Sequence, residues 1–400
     1  MLKLLINGSQ SGCPLPLFLM AAALLSPPAL ASTLVAWGET SRPSGSPPSM
    51  TTNVPAGLVD AVAVAGGPDI GYAIRRNGSV VTWGNPLTTS LSAVPPSLTD
   101  AIAIGAGTRH TLALRANGKV IGWGDDQYGK TDAPALLDRV MGLAVGDNHS
   151  VGLRRNGAVL AWGNYSFGQA LSVPVGLNDA VAIAAARNFG IALRRNGTVV
   201  AWGGTYNLTN VMGPVIVPPD LSNVVAIAAS TFAAFALRDD GTVVQWGSGQ
   251  PGPIAGFTQI CGIAVSVSSG VLALREDGTL VKTQPLLSPI PPGISNVVAI
   301  GGVGTPSVVL IRGPDEPFIT QHPQSQSVAA GAPASFHVGA GAGQPLTYQW
   351  QFNGINLRGA TQDTLQIKAA WPAQAGHYRV LVSAAGLTIS SRAVLLKIAP

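Results

Sequence analysis

Cysteine is nearly absent from this chain: Cys13 and Cys261 are the only two among 400 residues. That excludes a small scaffold stapled by disulfides. Charged residues make up only 10% and aromatics 6%, while glycine numbers 49 and proline 31. This is a turn-rich β composition, neither helical nor disordered. Mean hydropathy is high, at +0.33. Yet no apolar run beyond residue 31 reaches the ~18 residues of a spanning helix, so no membrane span is expected. The five histidines, at 110, 149, 322, 337 and 377, form no H-x-H or H-x-x-x-H pair. No metal site is expected from them. A G-x-S-x-G elbow and a phosphate-binding loop are also missing. The sequence therefore offers no catalytic constellation, cofactor or metal, and a non-enzymatic protein is expected.

What is present is repetition. The segment ALRRNGTVVAWG (192–203) returns as AIRRNGSVVTWG (73–84), ALRANGKVIGWG (113–124), GLRRNGAVLAWG (152–163), ALRDDGTVVQWG (236–247) and, altered, ALREDGTLVKTQ (273–284). Its arginine recurs at 75, 115, 154, 194, 238, 275 and 312, with spacings of 40, 39, 40, 44, 37 and 37. Such a period means a solenoid or a propeller. Each unit reads as a β-hairpin. Asn-Gly or Asp-Gly supplies a turn that tolerates positive φ, and Val, Ile, Leu and Trp flank it. Apolar runs such as 60–67, 100–107 and 179–186 precede the hairpins and read as inner strands with small residues where blades crowd. The last hairpin strand, Val308 to Arg312, has no partner after it. Leu34 to Gly38 is a second-strand segment with nothing before it. Together they complete one blade, so a ring of seven blades closed by the N-terminal strand is expected.

The hairpins, the continuations Trp123 to Lys130 and Trp162 to Gln169, and the segments Gly107 to Leu114 and Gly146 to Leu153 resemble the RCC1 repeat family. The last two look like its G-x-x-H-S-L-A-L signature. The resemblance covers 34–313 and implies a seven-bladed propeller. Later repeats depart from it: Lys282-Thr283 replaces Trp-Gly, and Phe189, Ala233 and Gly270 stand where His110 and His149 do. From 318 the period is lost and a sandwich-like strand series follows a short linker, 314–317. It resembles an immunoglobulin-like domain. The resemblance implies a buried Trp350, a tyrosine corner at Tyr378, and Val338 and Val380 at the two disulfide positions.

The first 31 residues read as a secretory signal peptide: Lys3, an apolar stretch over 15–25, and Ala29-Leu-Ala31 as the cleavage site. Secretion to the extracellular space is expected. After cleavage Cys261 is the only cysteine, in an apolar setting that suits a buried, inert residue. The division is then 1–31 leader, 32–313 propeller, 314–317 linker and 318–400 immunoglobulin-like domain.

Two surfaces are candidates for recognition. The repeat arginines Arg75, Arg115, Arg154, Arg194, Arg238, Arg275 and Arg312 should ring one rim, doubled by Arg76, Arg155 and Arg195 over part of the circle and neutralised by Asp239 and Glu276 elsewhere. The net charge of +5 makes that rim attractive to anionic polymers or acidic proteins. The opposing reading makes them turn residues with stems packed across blades. Loops after Trp-Gly emerge on the other rim and carry Tyr128, Tyr165, Phe167 and Tyr206. The carboxylate pair Asp125-Asp126 reads as a solvated loop and Asp239-Asp240 as a turn. The leading expectation is a secreted, monomeric binding protein whose loops recognise a protein or a polysaccharide. The immunoglobulin-like domain acts as spacer or second contact, and no nucleic acid is expected. The alternatives are an extracellular polysaccharide hydrolase and a structural surface protein. The resemblance also brings to mind secreted propellers that inhibit β-lactamases and the exchange factor of a nuclear small GTPase. The second activity conflicts with export.

Overall fold

The computed structural model describes residues 33–37, 53–67, 70–84, 91, 93–164, 172–206, 212–247, 251–266, 270–283, 289–301, 307–311, 317–384, 386–391 and 393–399. The repeats form seven antiparallel sheets. Blade 1 contains β2 (Ala61–Gly67), β3 (Ile70–Arg75) and β4 (Val80–Gly84); blade 2 contains β5 (Ala101–Ala106), β6 (His110–Arg115) and β7 (Val120–Gly124). Blade 3 holds β8 (Val140–Val145), β9 (His149–Arg154) and β10 (Val159–Gly163). Blades 4 and 5 add a short fourth strand each: β11 (Ala180–Ala185), β12 (Phe189–Arg194), β13 (Val199–Tyr206) and β14 (Met212–Pro214), then β15 (Val224–Ala229), β16 (Ala233–Arg238), β17 (Val243–Gly247) and β18 (Gly252–Pro253). Blade 6 is β19 (Ile260–Val265), β20 (Val271–Arg275) and β21 (Leu280–Lys282). In blade 7, β22 (Val297–Gly301) and β23 (Ser307–Ile311) are joined by β1 (Thr33–Trp37), which pairs with β23 from Thr33↔Ile311 to Trp37↔Ser307.

Inner strands pack on one another around an axis, and β22 meets β2, which closes the circuit. Leu34, Ala61, Trp83, Val308 and Leu310 share one core cluster across that junction. Each inner strand carries a register shift after its first residue, at Ala61/Ala63, Ala101/Ala103, Val140/Gly142, Ala180/Ala182, Val224/Ala226, Ile260/Gly262 and Val297/Ala299. A bulge at that place increases the local twist. Connections between blades carry a turn absent from the sequence reading. The N–H of Leu58, Leu98, Leu137, Leu177 and Leu221 donates to the carbonyl of Pro55, Pro95, Pro134, Pro174 and Pro218 respectively.

The hairpin turn differs from a two-residue Asn-Gly turn. Gly78 N–H donates to the Arg75 carbonyl, Arg75 N–H donates to the Ser79 carbonyl, and only Gly78 is left-handed, at φ 83°. This is a three-residue loop with a glycine bulge. Asn77 contributes its side chain instead: Oδ1 accepts from the N–H and hydroxyl of Ser79. The carbonyl of Gly78 then accepts from Ala101 N–H, the first residue of the next blade. The turn glycine is thus a link between blades.

The C-terminal unit has its own core. β24 (Phe318–Gln321), β25 (Gln326–Ala329), β26 (Ala334–His337), β27 (Gly339–Gly341), β28 (Thr347–Phe352), β29 (Ile355–Asn356), β30 (Thr364–Ile367), β31 (Gly376–Ala384), β32 (Leu387–Ser390) and β33 (Val394–Ala399) form it. Its largest sheet runs β25-β33-β31-β28-β29, with β25 parallel to β33. Trp350 is fully buried and donates Nε1–H to the Gln362 carbonyl at 2.9 Å. Tyr378 donates its hydroxyl to the Gln374 carbonyl, four residues upstream, at 2.9 Å. Val338 and Val380 lie in the same apolar core. An immunoglobulin-like sandwich stands here on packing alone.

Candidate functional site

Every middle strand runs away from the rim where the inner strand ended, and every outer strand returns to it. Inner-to-middle loops and post-Trp-Gly loops therefore share one rim. They are also bonded together: Asp125 N–H donates to the Arg109 carbonyl, Asn164 N–H to Asn148, and Gly204 N–H to Asn188. The hairpin arginines lie on the opposite rim.

On that opposite rim the charges of four hairpin arginines, those of blades 1 to 4, are met within the blade, while Arg238 of blade 5 donates to the Asp220 carbonyl. Arg75 faces Asp60 at 3.6 Å, Arg115 faces Asp100 at 2.5 Å, and Arg194 faces Asp179 at 3.0 Å. Arg154 pairs with Asp138. The aspartates sit just before the inner strands, so these pairs tie each hairpin to its blade entry. Their charge is opposed rather than free, which places these arginines as hairpin ties. Arg312 lies outside the described residues.

Of the four loop aromatics, Tyr165 and Phe167 lie outside the described residues, and Tyr206 is described only as backbone at the end of β13. Tyr128 is well defined. Its side chain is 53% exposed and its backbone is left-handed, at φ 73°. A non-glycine residue pays roughly 1–2 kcal/mol for that conformation. The loop beneath it supplies the constraint. Asp125 accepts from Gln127 N–H, and Asp126 accepts from the N–H and hydroxyl of Thr131. Lys130, 1% exposed, donates Nζ–H to Asp125 at 2.9 Å. That bond, then the one from Gln127, holds the Asp125 carboxyl below its usual range. The Asp125-Asp126 pair is thus solvated as expected, with Asp126 exposed, and also organises the loop through its hydrogen bonds. Asp240, in a turn as expected, accepts from Thr242 and is lowered by the same kind of bond.

Behind the loop lies a buried polar string. His110 Nε2 and Ser150 Oγ are 2.9 Å apart, and Ser150 donates to the Lys130 carbonyl at 2.7 Å, which also receives Trp162 Nε1–H at 3.0 Å. Burial pushes His110 down to about 3, helped by the nearby Lys130 charge. Burial likewise takes His149 to about 4, opposed weakly by the Arg187 backbone; neither ring nitrogen of His149 has a partner in hydrogen-bonding geometry. Both imidazoles are neutral and internal, and neither reaches solvent.

Cys261 is 2% exposed in β19.

A cavity of about 260 Å³ follows the propeller axis. Its wall is made of inner-strand residues such as Ile104, Leu143, Ile183 and Ile227. A polar arc from consecutive blades, Thr108, Asp147, Arg187 and Thr231, stands at its mouth on the loop rim. These four occupy one position, the second residue after the inner strand ends. Only threonine occurs there twice, so the repeat did not single it out. Among the described residues no group of three or more His, Cys, Asp or Glu is placed to hold a metal ion.

Comparison with known proteins agrees with this architecture. The sequence profile of the regulator of chromosome condensation (RCC1) repeat matches residues 101–130 and 142–169, and that of the immunoglobulin domain matches 316–383. Yeast RCC1 (Prp20), solved bound to Kap60, is similar with TM-score 0.55 and 16% identity, over 74% of this chain and 90% of that one. Human WBSCR16 is similar with TM-score 0.52 and 15% identity, over 70% of this chain and 99% of that one. At such identities the likeness is one of fold. No curated protein sequence matches the chain significantly.

Proposed function

We propose that this chain, an RCC1-repeat propeller followed by an immunoglobulin-like domain, is an exported, non-enzymatic protein that binds a partner through its loop rim. Repeat propellers and immunoglobulin-like domains are scaffolds for interaction, and loops on rigid scaffolds carry recognition. The observation that carries the reading is Tyr128. A large aromatic is held in an unfavourable backbone conformation, with its ring half in water, by a loop tied to a buried lysine. Exposed aromatics fixed before binding cost little entropy on association and act as anchors. Export is supported by the leader-like residues 1–31, with Lys3, the apolar stretch and Ala29-Leu-Ala31. The partner class is an envelope or secreted protein, with a polysaccharide as second choice.

The test is capture from envelope and secreted fractions on immobilised 32–400, followed by titration of whatever is retained. Tyr128→Ala should weaken the captured partner by tenfold or more, which is the scale of an aromatic anchor. Arg115→Ala should change affinity little. A partner whose binding ignores Tyr128 and collapses with modest salt would replace this reading with electrostatic adhesion.

A further inference from the structure

The axial cavity has a feature that loop recognition does not use. Its volume of about 260 Å³ exceeds the ~150 Å³ cavity that admits a benzene ring. A second space of about 30 Å³ lies beside it, walled by Ala63, Val64, Ala103, Leu143, Ala299 and Ile300. The main space is a channel that runs from inner-strand residues such as Gly142, Ala182 and Ala226 up to the loop rim. Its walls are aliphatic. Such a space gains little from water and favours an apolar occupant.

The mouth discriminates by charge. Thr108 donates to Asp147 Oδ1 at 3.1 Å, so one carboxylate oxygen is engaged. Arg187 Nε stands 3.8 Å from Asp147 Oδ2, beyond hydrogen-bond length, and its side chain is about half exposed. Arg115 and Arg194 of the hairpin rim, in contrast, lie within hydrogen-bond length of their aspartates. A guanidinium with donors to spare at the lip of a channel lined by aliphatic side chains matches a carboxylate head on an alkyl chain. We infer that the propeller channel is a binding site for a medium-chain alkyl carboxylate, its chain in the channel and its head on Arg187, with Thr108 and Thr231 beside it. Asp147 opposes the head group and sets the affinity below what Arg187 alone would give.

Isothermal titration of the full chain with decanoate, acetate and decyltrimethylammonium tests this, below the micelle concentration of each. Decanoate should bind with a stoichiometry of one, and acetate, lacking the chain, should not bind measurably. The cationic amphiphile should bind at least tenfold more weakly than decanoate. Arg187→Gln should weaken decanoate about tenfold or more, the scale of one charge-assisted bond. Asp147→Asn should strengthen it several-fold, because it removes a like charge. Both residues are at the surface, so these variants leave the core intact. Ala184→Phe, which fills the channel, should abolish binding where its thermal midpoint stays near that of the parent. No heat from decanoate, equal binding of both amphiphiles, or identical affinities in the Arg187 and Asp147 variants would overturn the assignment. The Tyr128 titration is independent of all of these outcomes.

Discussion

At the scale of single residues, two kinds of small change separate packing from chemistry in this repeat. Gly190 sits opposite Trp202, and a Cβ there would lie 2.3 Å from the indole Cζ2. Blades 3 and 5 carry Ser150 and Ala234 at the same register opposite Trp162 and Trp246. The tryptophan therefore adapts blade by blade, and its seat is set by the small residue it covers. Gly190→Ala should cost about 1–3 kcal/mol, the usual range for overfilling a packed site, in urea unfolding. His149 offers a sharper test. An unfolded histidine titrates near 6.5, whereas His149 is held down to about 4 and His110 to about 3. Between those values the unfolded chain binds protons that the native chain does not. Stability is complete above about pH 6.5 and falls as the pH drops toward 4, by up to about 1.4 kcal/mol per pH unit per histidine. His149→Phe copies Phe189, the residue at the same position in blade 4. It should flatten the decline in thermal midpoint between pH 6.5 and 4 by the share of one proton. A variant curve parallel to the parent's would mean His149 does not titrate in that window.

At the scale of elements, most of the architecture was legible because each hairpin repeats its own instructions. Arg-x-Asn-Gly, the alternating valines and Trp-Gly mark the same strand ends in successive blades, so an error in one unit is corrected by the others. The turn type was not legible. Asn-Gly suits a two-residue turn and a three-residue loop alike, and the choice falls to the longer loop, whose glycine carbonyl reaches the next blade. The arginine ring was legible in position but not in role, since its aspartates lie some 15 residues upstream, as in Arg194 and Asp179. These pairs are part-exposed and worth about 0.2–1 kcal/mol each. Arg194→Ala should therefore lower the thermal midpoint only slightly. The channel mouth was the least legible feature. Thr108, Asp147, Arg187 and Thr231 share a place but only threonine occurs there twice, and a search for recurring residue types passes over such a position. The signal was the alignment of the repeats itself, read for the position that varies beside the axis.

At the scale of the molecule, the ring depends on one short strand. β1 has five residues, and Leu34 buries its side chain between blade 7 and blade 1 with Leu310 and Trp83. Without it β23 presents an unpaired edge, and the junction of the last blade with the first loses its outer layer. The other six blades draw their strands from contiguous sequence and do not depend on the N-terminus for pairing. Leu34→Asp places a charge in that apolar junction, where no cation is positioned to meet it among its cluster neighbours. Opening should begin at this seam. In hydrogen exchange, 297–301 and 307–311 should lose protection first, then 61–67 across the junction. The immunoglobulin-like core around Trp350 and Tyr378 shares no residue with the propeller clusters, so 347–352 and 376–384 should exchange as in the parent. Uniform loss of protection over all seven blades would instead mean that the ring melts as one cooperative unit, with closure setting the stability of every blade.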